Sequence, residues 1–409
     1  MTLAPARAEP TDAEIGEYLL AARGRQWIAG AVGDERDPWS LLLRGGDRAE
    51  QAHRARQHRD VYRSPAGCWV VTAYDRCAEL LGDPRMGLWY PDPAPGRRSA
   101  YELAQPLLSH LLSLDRAFMC LDPAEYRNLT AWTDPVLGAE PVEHHVDRLT
   151  ALCRAELARL PERFDLIRDY AQPAAAAALA ELIELPVPHR PTLAAVSAAA
   201  AVALDAVLCP PQRPVALGLR SAVETAHEIL GRERDTAAVP PRVLTGVAGV
   251  EMAAQLTANV LLALLRDPAG HDRVRAEPQR IPALVEQALC DDPPVRVEHR
   301  VALADVPVAG QVIAAGSEVV LWVEAANPGR GAGAGNGRVR PPLTVDAGLY
   351  TRCVAPFARV VATAAVTAAV SSPYPVRPDG EPLRRLRSPV TAAHTRIPVA
   401  VTAIPSTEG

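Results

Sequence analysis

The residues able to do chemistry in this 409-residue chain fall into a few groups. Seven cysteines, Cys68, Cys77, Cys120, Cys153, Cys209, Cys290 and Cys353, supply thiols. Thiols on a CxxC spacing would grip zinc or cycle as a disulfide, but the seven are scattered without such a pair. Cys353 lies just ahead of a helical stretch and reads as a small buried residue at a helix start. Arg384, Arg385 and Arg387 form a basic run that could face an acidic partner, or simply a solvated face. Trp27 and Trp39 offer aromatic anchors for a partner near the N-terminus, or core residues in the same place.

Bulk properties narrow the field. The chain is 48% hydrophobic and 22% charged, an ordinary globular composition. Net charge is −5, and every one of the 43 basic residues is arginine. No overall positive field draws it to nucleic acid, and no recognition motif for nucleic acid is present. The first residues lack a basic region followed by an apolar core, so no signal peptide is expected. Residues 247–265 and 360–370 are apolar, but the first stretch is interrupted by Glu251, Gln255 and Asn259 and the second is short. Neither offers the roughly 20 clean residues of a membrane span. These features predict a cytoplasmic protein with reduced cysteines.

The elements that must position these groups are mostly helical. Helices are expected over 12–30, 50–60 and 74–81, with a loop over 33–46 around Asp37-Pro38. Cys68-Trp69-Val70-Val71-Thr72 is a run of strand formers. The proline-rich stretch 90–98 reads as a loop. From 122 to 185 helix follows helix, opened by Asp122-Pro123 with Glu125 as a capping start. Residues 242–265 form one long apolar helix, and 281–289 another that stops at Asp292-Pro293-Pro294. Valine-rich alternation over 301–323 predicts hairpins, 359–370 a helix, and 388–402 terminal strands. The segment 329–337 is glycine-rich and of low complexity. No repeat or linker divides the chain, so a single domain over 1–409 is expected: mainly α with a small β portion.

Several phrases in this order resemble a bacterial cytochrome P-450. Cys120-Leu-Asp-Pro-Ala-Glu-Tyr-Arg is similar to the opening of that family's C helix, and Glu181-Leu-Ile-Glu-Leu-Pro to the end of its E helix. Ala248-Gly249-Val250-Glu251 matches the start of the oxygen-binding motif in its I helix. Asp292-Pro293-Pro294, Arg300-Val-Ala, the stretch from Asp305 to Gly316 and Ala325-Ala326-Asn327 continue the pattern. The resemblance covers most of the chain from about residue 60 and implies the cytochrome P-450 fold.

At the positions that carry oxygen chemistry the chain departs from the family. A loop of the form FGxGxHxCxG should present a cysteine thiolate to haem iron. The candidate is Cys353, but Asp346, Leu349, Thr351 and Ala355 replace the phenylalanine, second glycine, histidine and following glycine. Leu and Ala would crowd a bulge that glycines leave open to the porphyrin. The K-helix ExxR pair, aligned on Asp292-Pro293-Pro294, becomes Gln287 and Cys290; Glu286 is one position off, about 100° around the helix. Met252 replaces the threonine that helps deliver protons, and a thioether cannot donate one. Tyr126 and Asn128 replace propionate-binding residues of the C helix. Glu251 remains, to cap or solvate a helix distortion; Arg300 remains as a propionate partner or a structural ion pair. The resemblance therefore implies a P-450 fold without a functional haem-binding loop, with no cofactor, no metal and no catalytic residue.

Both ends are similar to a special P-450-like group, the auxiliary proteins of antibiotic deoxysugar glycosyltransferases. The carrying stretches are Gln26-Trp27-Ile-Ala-Gly-Ala-Val-Gly-Asp, Asp37-Pro38-Trp39-Ser-Leu-Leu-Leu, and Leu383-Arg-Arg-Leu-Arg-Ser-Pro-Val running to Arg396-Ile-Pro-Val. That group lacks haem and binds, stabilises and activates a transferase in macrolide or anthracycline-type polyketide pathways. It implies a hetero-oligomer with the transferase, with residues 1–60 as a contact region. Two rival functions remain open: a haem-thiolate monooxygenase using Cys353 in a degenerate loop, and a protein holding an apolar ligand in the emptied haem cavity.

Overall fold

A computed structural model describes residues 10–32, 37–88, 108–231, 237–327, 341–343, 348–386 and 388–401. The stretches 90–98 and 329–337, Asp346 and Arg387 lie outside them. The fold is mainly helical with small sheets, as the sequence implies. Its largest sheet has five strands in the order Val61–Arg63, Trp69–Val71, Glu318–Leu321, Glu298–Ala302 and Met86–Gly87. The middle pair, Trp69–Val71 with Glu318–Leu321, is parallel and the rest antiparallel, so residues 250 positions apart are zipped together.

Local chemistry explains the main helices. Asp122 accepts from the amides of Ala124 and Glu125 at 2.7 and 2.8 Å, while Glu125 reaches back to the Asp122 amide. This reciprocal cap, with Pro123 in the first turn, opens the Pro123–Leu137 helix. The long helix runs Val239–Leu265 and carries a π-helical turn over Thr245–Gly249, immediately before Glu251. It packs along Tyr350–Val370, and at Gly249 an added Cβ would stand 3.3 Å from Val354 Cβ.

Four expectations change. Residues 33–46 are not all loop, because Asp37 caps a short Pro38–Leu43 helix through Trp39 and Ser40 amides. Six residues are too few to display a helical period, although Asp-Pro was the start signal. The 359–370 helix begins earlier, at Tyr350, and carries Pro356 inside it. Residues 388–393 are a turn rather than a strand, and the strands are His394–Arg396 and Pro398–Val401. Finally, Val239–Leu265 and Tyr350–Val370 are long and apolar enough to cross a membrane, since averaging absorbs Glu251, Gln255 and Asn259. Their most apolar windows are 94% and 78% buried within the fold, where they form the core.

Candidate functional site

Cys353 sits in the first turn of the Tyr350–Val370 helix and is buried. Its Sγ lies 3.4 Å from the Thr130 hydroxyl and donates to the Leu349 carbonyl at 3.7 Å. Burial raises the thiol pKa, only partly offset by Thr130, so the protonated form is held. Tyr126 is buried, its phenol donating to Phe118 O at 3.0 Å; Asn128 is exposed.

Arg300 is wholly buried on its strand, donating to Glu298 Oε2 at 2.8 Å and to the His299 carbonyl at 2.7 Å. Its Nε and Nη2 have no partner among the described residues. Thr351 donates to the other Glu298 oxygen at 3.0 Å, tying the sheet to the Tyr350–Val370 helix. Met252 is buried among apolar side chains.

The Ile281–Asp291 helix places Gln287 at the surface, donating to Asp291 at 3.2 Å, and Cys290 half-buried. Neither joins a buried ion pair with the other. Glu286, also at the surface, pairs with Arg359 at 2.7 Å. The buried ion pairing near this helix is made instead by residues the sequence did not single out. Arg296 pairs with Asp292 and, at 2.5 Å, with Glu324, which also pairs with Arg48 at 2.7 Å. Burial works to raise the Glu324 carboxyl, but Arg48 and Arg296 outweigh it and the net shift is downward.

Glu251 is the centre of a second network. It is 1% exposed and accepts from Gln172 at 2.9 Å, Gln255 at 3.2 Å and Arg385 at 3.1 Å. Gln255 in turn clasps the backbone of His394, accepting from its N–H at 2.9 Å and donating to its carbonyl at 3.1 Å. Arg385 also pairs with buried Asp205 at 3.3 Å. The Asp205 carboxylate accepts four further bonds, from the Ser388 and Thr391 hydroxyls at 2.7 Å each and the Val390 and Thr391 amides at 3.0 Å each. Arg48 and Arg296 hold the same turn from its other side, through Ser388, Pro389 and Thr391 carbonyls. Residues 385–386 and 388–394 thus form a strap laid over the long helix.

Two candidate contact residues are corrected by this geometry. Arg385 is consumed by Glu251 and Asp205, because a buried carboxylate needs a cation more than solvent does. Trp39 is 2% exposed and packs edge-on to Trp322, with ring centroids 5.6 Å apart. Trp27 is different: with Leu20 and Ile28 it is exposed on the Asp12–Val32 helix, while Ile15 and Leu19 face the core. Among the described residues, no group of three or more His, Cys, Asp or Glu is placed to hold a metal ion.

Comparison with known proteins places this geometry in a lineage. No family model matches the chain. It is 34% identical to Protein AknT of Streptomyces galilaeus, over 98% of this chain and 99% of that one. It is 28% identical to Protein TylM3 of Streptomyces fradiae, over 98% and 96% of the two chains. It is also 28% identical to Protein DesVIII of Streptomyces venezuelae, over 77% and 74%. Among solved structures, epothilone B-bound cytochrome P450epoK superposes with a TM-score of 0.71, at 19% identity, over 87% of this chain and 96% of that one. Matched end to end with AknT, the chain belongs to the family of cytochrome P-450-like auxiliary proteins that includes AknT, DesVIII and TylM3.

Proposed function

We propose that this protein is a haem-free, non-catalytic partner that binds, stabilises and activates a deoxysugar glycosyltransferase of polyketide antibiotic biosynthesis. It acts in the cytoplasm as part of a hetero-oligomer. The observation that carries the reading is the condition of Cys353, the ligand candidate, and of Glu251, the retained acid of the oxygen site. Each is committed to holding the fold: the thiol to Thr130 and Leu349, the carboxylate to Gln172, Gln255 and Arg385.

Haem does not fit these residues. Iron ligated by Cys353 would have to bind oxygen on the side facing Glu251 and Met252, so the macrocycle would lie between the two helices. Gly249 and Val354 already meet there, and the protonated thiol points to Thr130. Two unpartnered nitrogens on Arg300 would suit a propionate, but one anchor supplies no axial ligand. We therefore derive no oxygen chemistry.

A helper of this kind works by linkage. Binding only the folded, active transferase stabilises that state by mass action, and tighter binding to the active conformer shifts the population toward it. The exposed face bearing Leu20, Trp27 and Ile28 lies within residues 1–60 and supplies an aromatic anchor of the kind that dominates interfaces. Co-expression with the transferase of the same pathway tests the reading. Co-purification and faster, longer-lived sugar transfer are expected, with Cys353→Ala equally effective. Transfer that is as fast and durable without this protein would refute it, as would a Soret band in the purified chain. Glu251→Ala is an unsuitable neutral control, because it strands Arg385 and Gln255.

A further inference from the structure

A cleft of about 380 Å³ opens between the end of the long helix, the Ile281–Asp291 helix and the strand pair Leu383–Arg384 with His394–Arg396. It lies apart from Cys353 and Arg300, neither of which lines it. Its size is that of a site for a small organic ligand. One part of the wall is apolar, built from Val260, Leu284 and Ala288; another carries Arg266, Arg384 and His394.

The charges on that wall are unevenly committed. Three aspartates line the cleft and all are engaged: Asp267 caps Gly270 at 2.9 Å and pairs with Arg273, Asp292 pairs with Arg296, and Asp291 accepts from Gln287. The arginines are not. Arg266 has no side-chain partner among the described residues, and Arg384 donates only to the Ala392 carbonyl, at 2.6 Å. His394 is 2% exposed, yet its Nδ1 has no hydrogen-bond partner among the described residues. Burial, then the charges of Arg384, Arg296 and Arg266, depress the His394 pKa to about 3, so the ring stays neutral. Arg384 is itself lowered, by desolvation and then by Arg296. Two exposed arginines without a carboxylate partner among the described residues, set beside an apolar wall, are the complement of an amphiphilic anion. The three aspartates favour a single negative charge over a phosphate dianion.

We propose that this cleft binds a small apolar monocarboxylate, its carboxylate held between Arg266 and Arg384 beside His394 and its hydrocarbon part against Val260, Leu284 and Ala288. Octanoate is the probe, with octanamide as the uncharged match and inorganic phosphate as the anion without an apolar part. Titration calorimetry and thermal melting of the full chain read binding. Octanoate is expected to bind saturably with one site per chain and to raise the melting temperature. Octanamide and phosphate bind at least tenfold more weakly, and Arg266→Gln or Arg384→Gln weakens octanoate by about tenfold. Arg266→Gln removes no side-chain hydrogen bond or ion pair among the described residues, so its melting curve without ligand stays unchanged and separates binding from folding. The proposal is overturned if octanoate fails to bind, if octanamide or phosphate matches it, or if both variants bind it like the parent. None of these outcomes depends on a transferase being present.

Discussion

Replacing Asp205 with alanine removes the acceptor on which the strap formed by Arg385 and residues 388–394 converges. Five hydrogen bonds end on this carboxylate, two through hydroxyls, two through amides and one through the Arg385 guanidinium. The residue is 3% exposed, so water replaces those bonds poorly. Breaking one partner out of a buried charged network costs about 3–5 kcal/mol, much of it from the donors left behind. Arg385 keeps Glu251, which sets the value nearer the middle of that range, at about 4 kcal/mol. Unfolding entropy near 2.1 cal/mol/K per residue gives roughly 0.9 kcal/mol/K for a chain of this size. The melting temperature should therefore fall by about 5 °C. Hydrogen exchange localises the effect: amides of Val390, Thr391 and Ala393 should lose protection, while those of the Pro123–Leu137 helix keep theirs. A melting temperature within about 1 °C of the parent, with those three amides still protected, would refute the assignment of Asp205 as the strap's anchor.

Further outcomes follow from single residues. Trp27→Ala should change stability by less than about 0.5 kcal/mol, because the ring is exposed, yet weaken transferase capture in a pull-down by tenfold or more. Cys353→Ala should leave the visible spectrum and transferase stimulation unchanged, and cost about 1 kcal/mol in a denaturant melt for the small void it leaves. The depressed pKa of His394 makes the unfolded chain the better proton acceptor. Its stabilising contribution is complete above pH 6.5 and is lost as pH falls toward 3, at up to about 1.4 kcal/mol per unit. His394→Gln should flatten that part of a stability–pH profile; an unchanged slope would show that the imidazole does not resist protonation.

What could be read from the chain follows the range of the interactions involved. The cap at Asp122 was legible because both partners lie within three residues. The family resemblance was legible because ordered phrases survive where backbone geometry needs them, as at Asp292-Pro293-Pro294 and Ala248-Gly249. The role of Glu251 is not legible in the sequence, since its cation, Arg385, lies 134 residues away in a run that looks like solvated surface. Asp205 gave no signal at all: a lone acid in an alanine-rich stretch acquires meaning only when residues 388–391 fold back on it. Trp27 and Trp39 are alike as letters, and only packing against Trp322 separates the core residue from the exposed one.

The strap also bears on the order in which the molecule can be built. Arg48, near the start of the chain, grips carbonyls at 388 and 389, a closure spanning about 340 residues. Contacts of such separation close late, because the intervening chain must already be compact. Residues up to 394 are therefore made before Asp205 receives its donors, before Glu251 meets Arg385 and before Gln255 meets His394. Until then Asp205 lacks the donors of the strap, and Glu251 has only Gln172 and Gln255. Premature termination between residues 371 and 384 would leave a chain with its core helices in place and its polar centre open, the state a quality-control protease meets most readily.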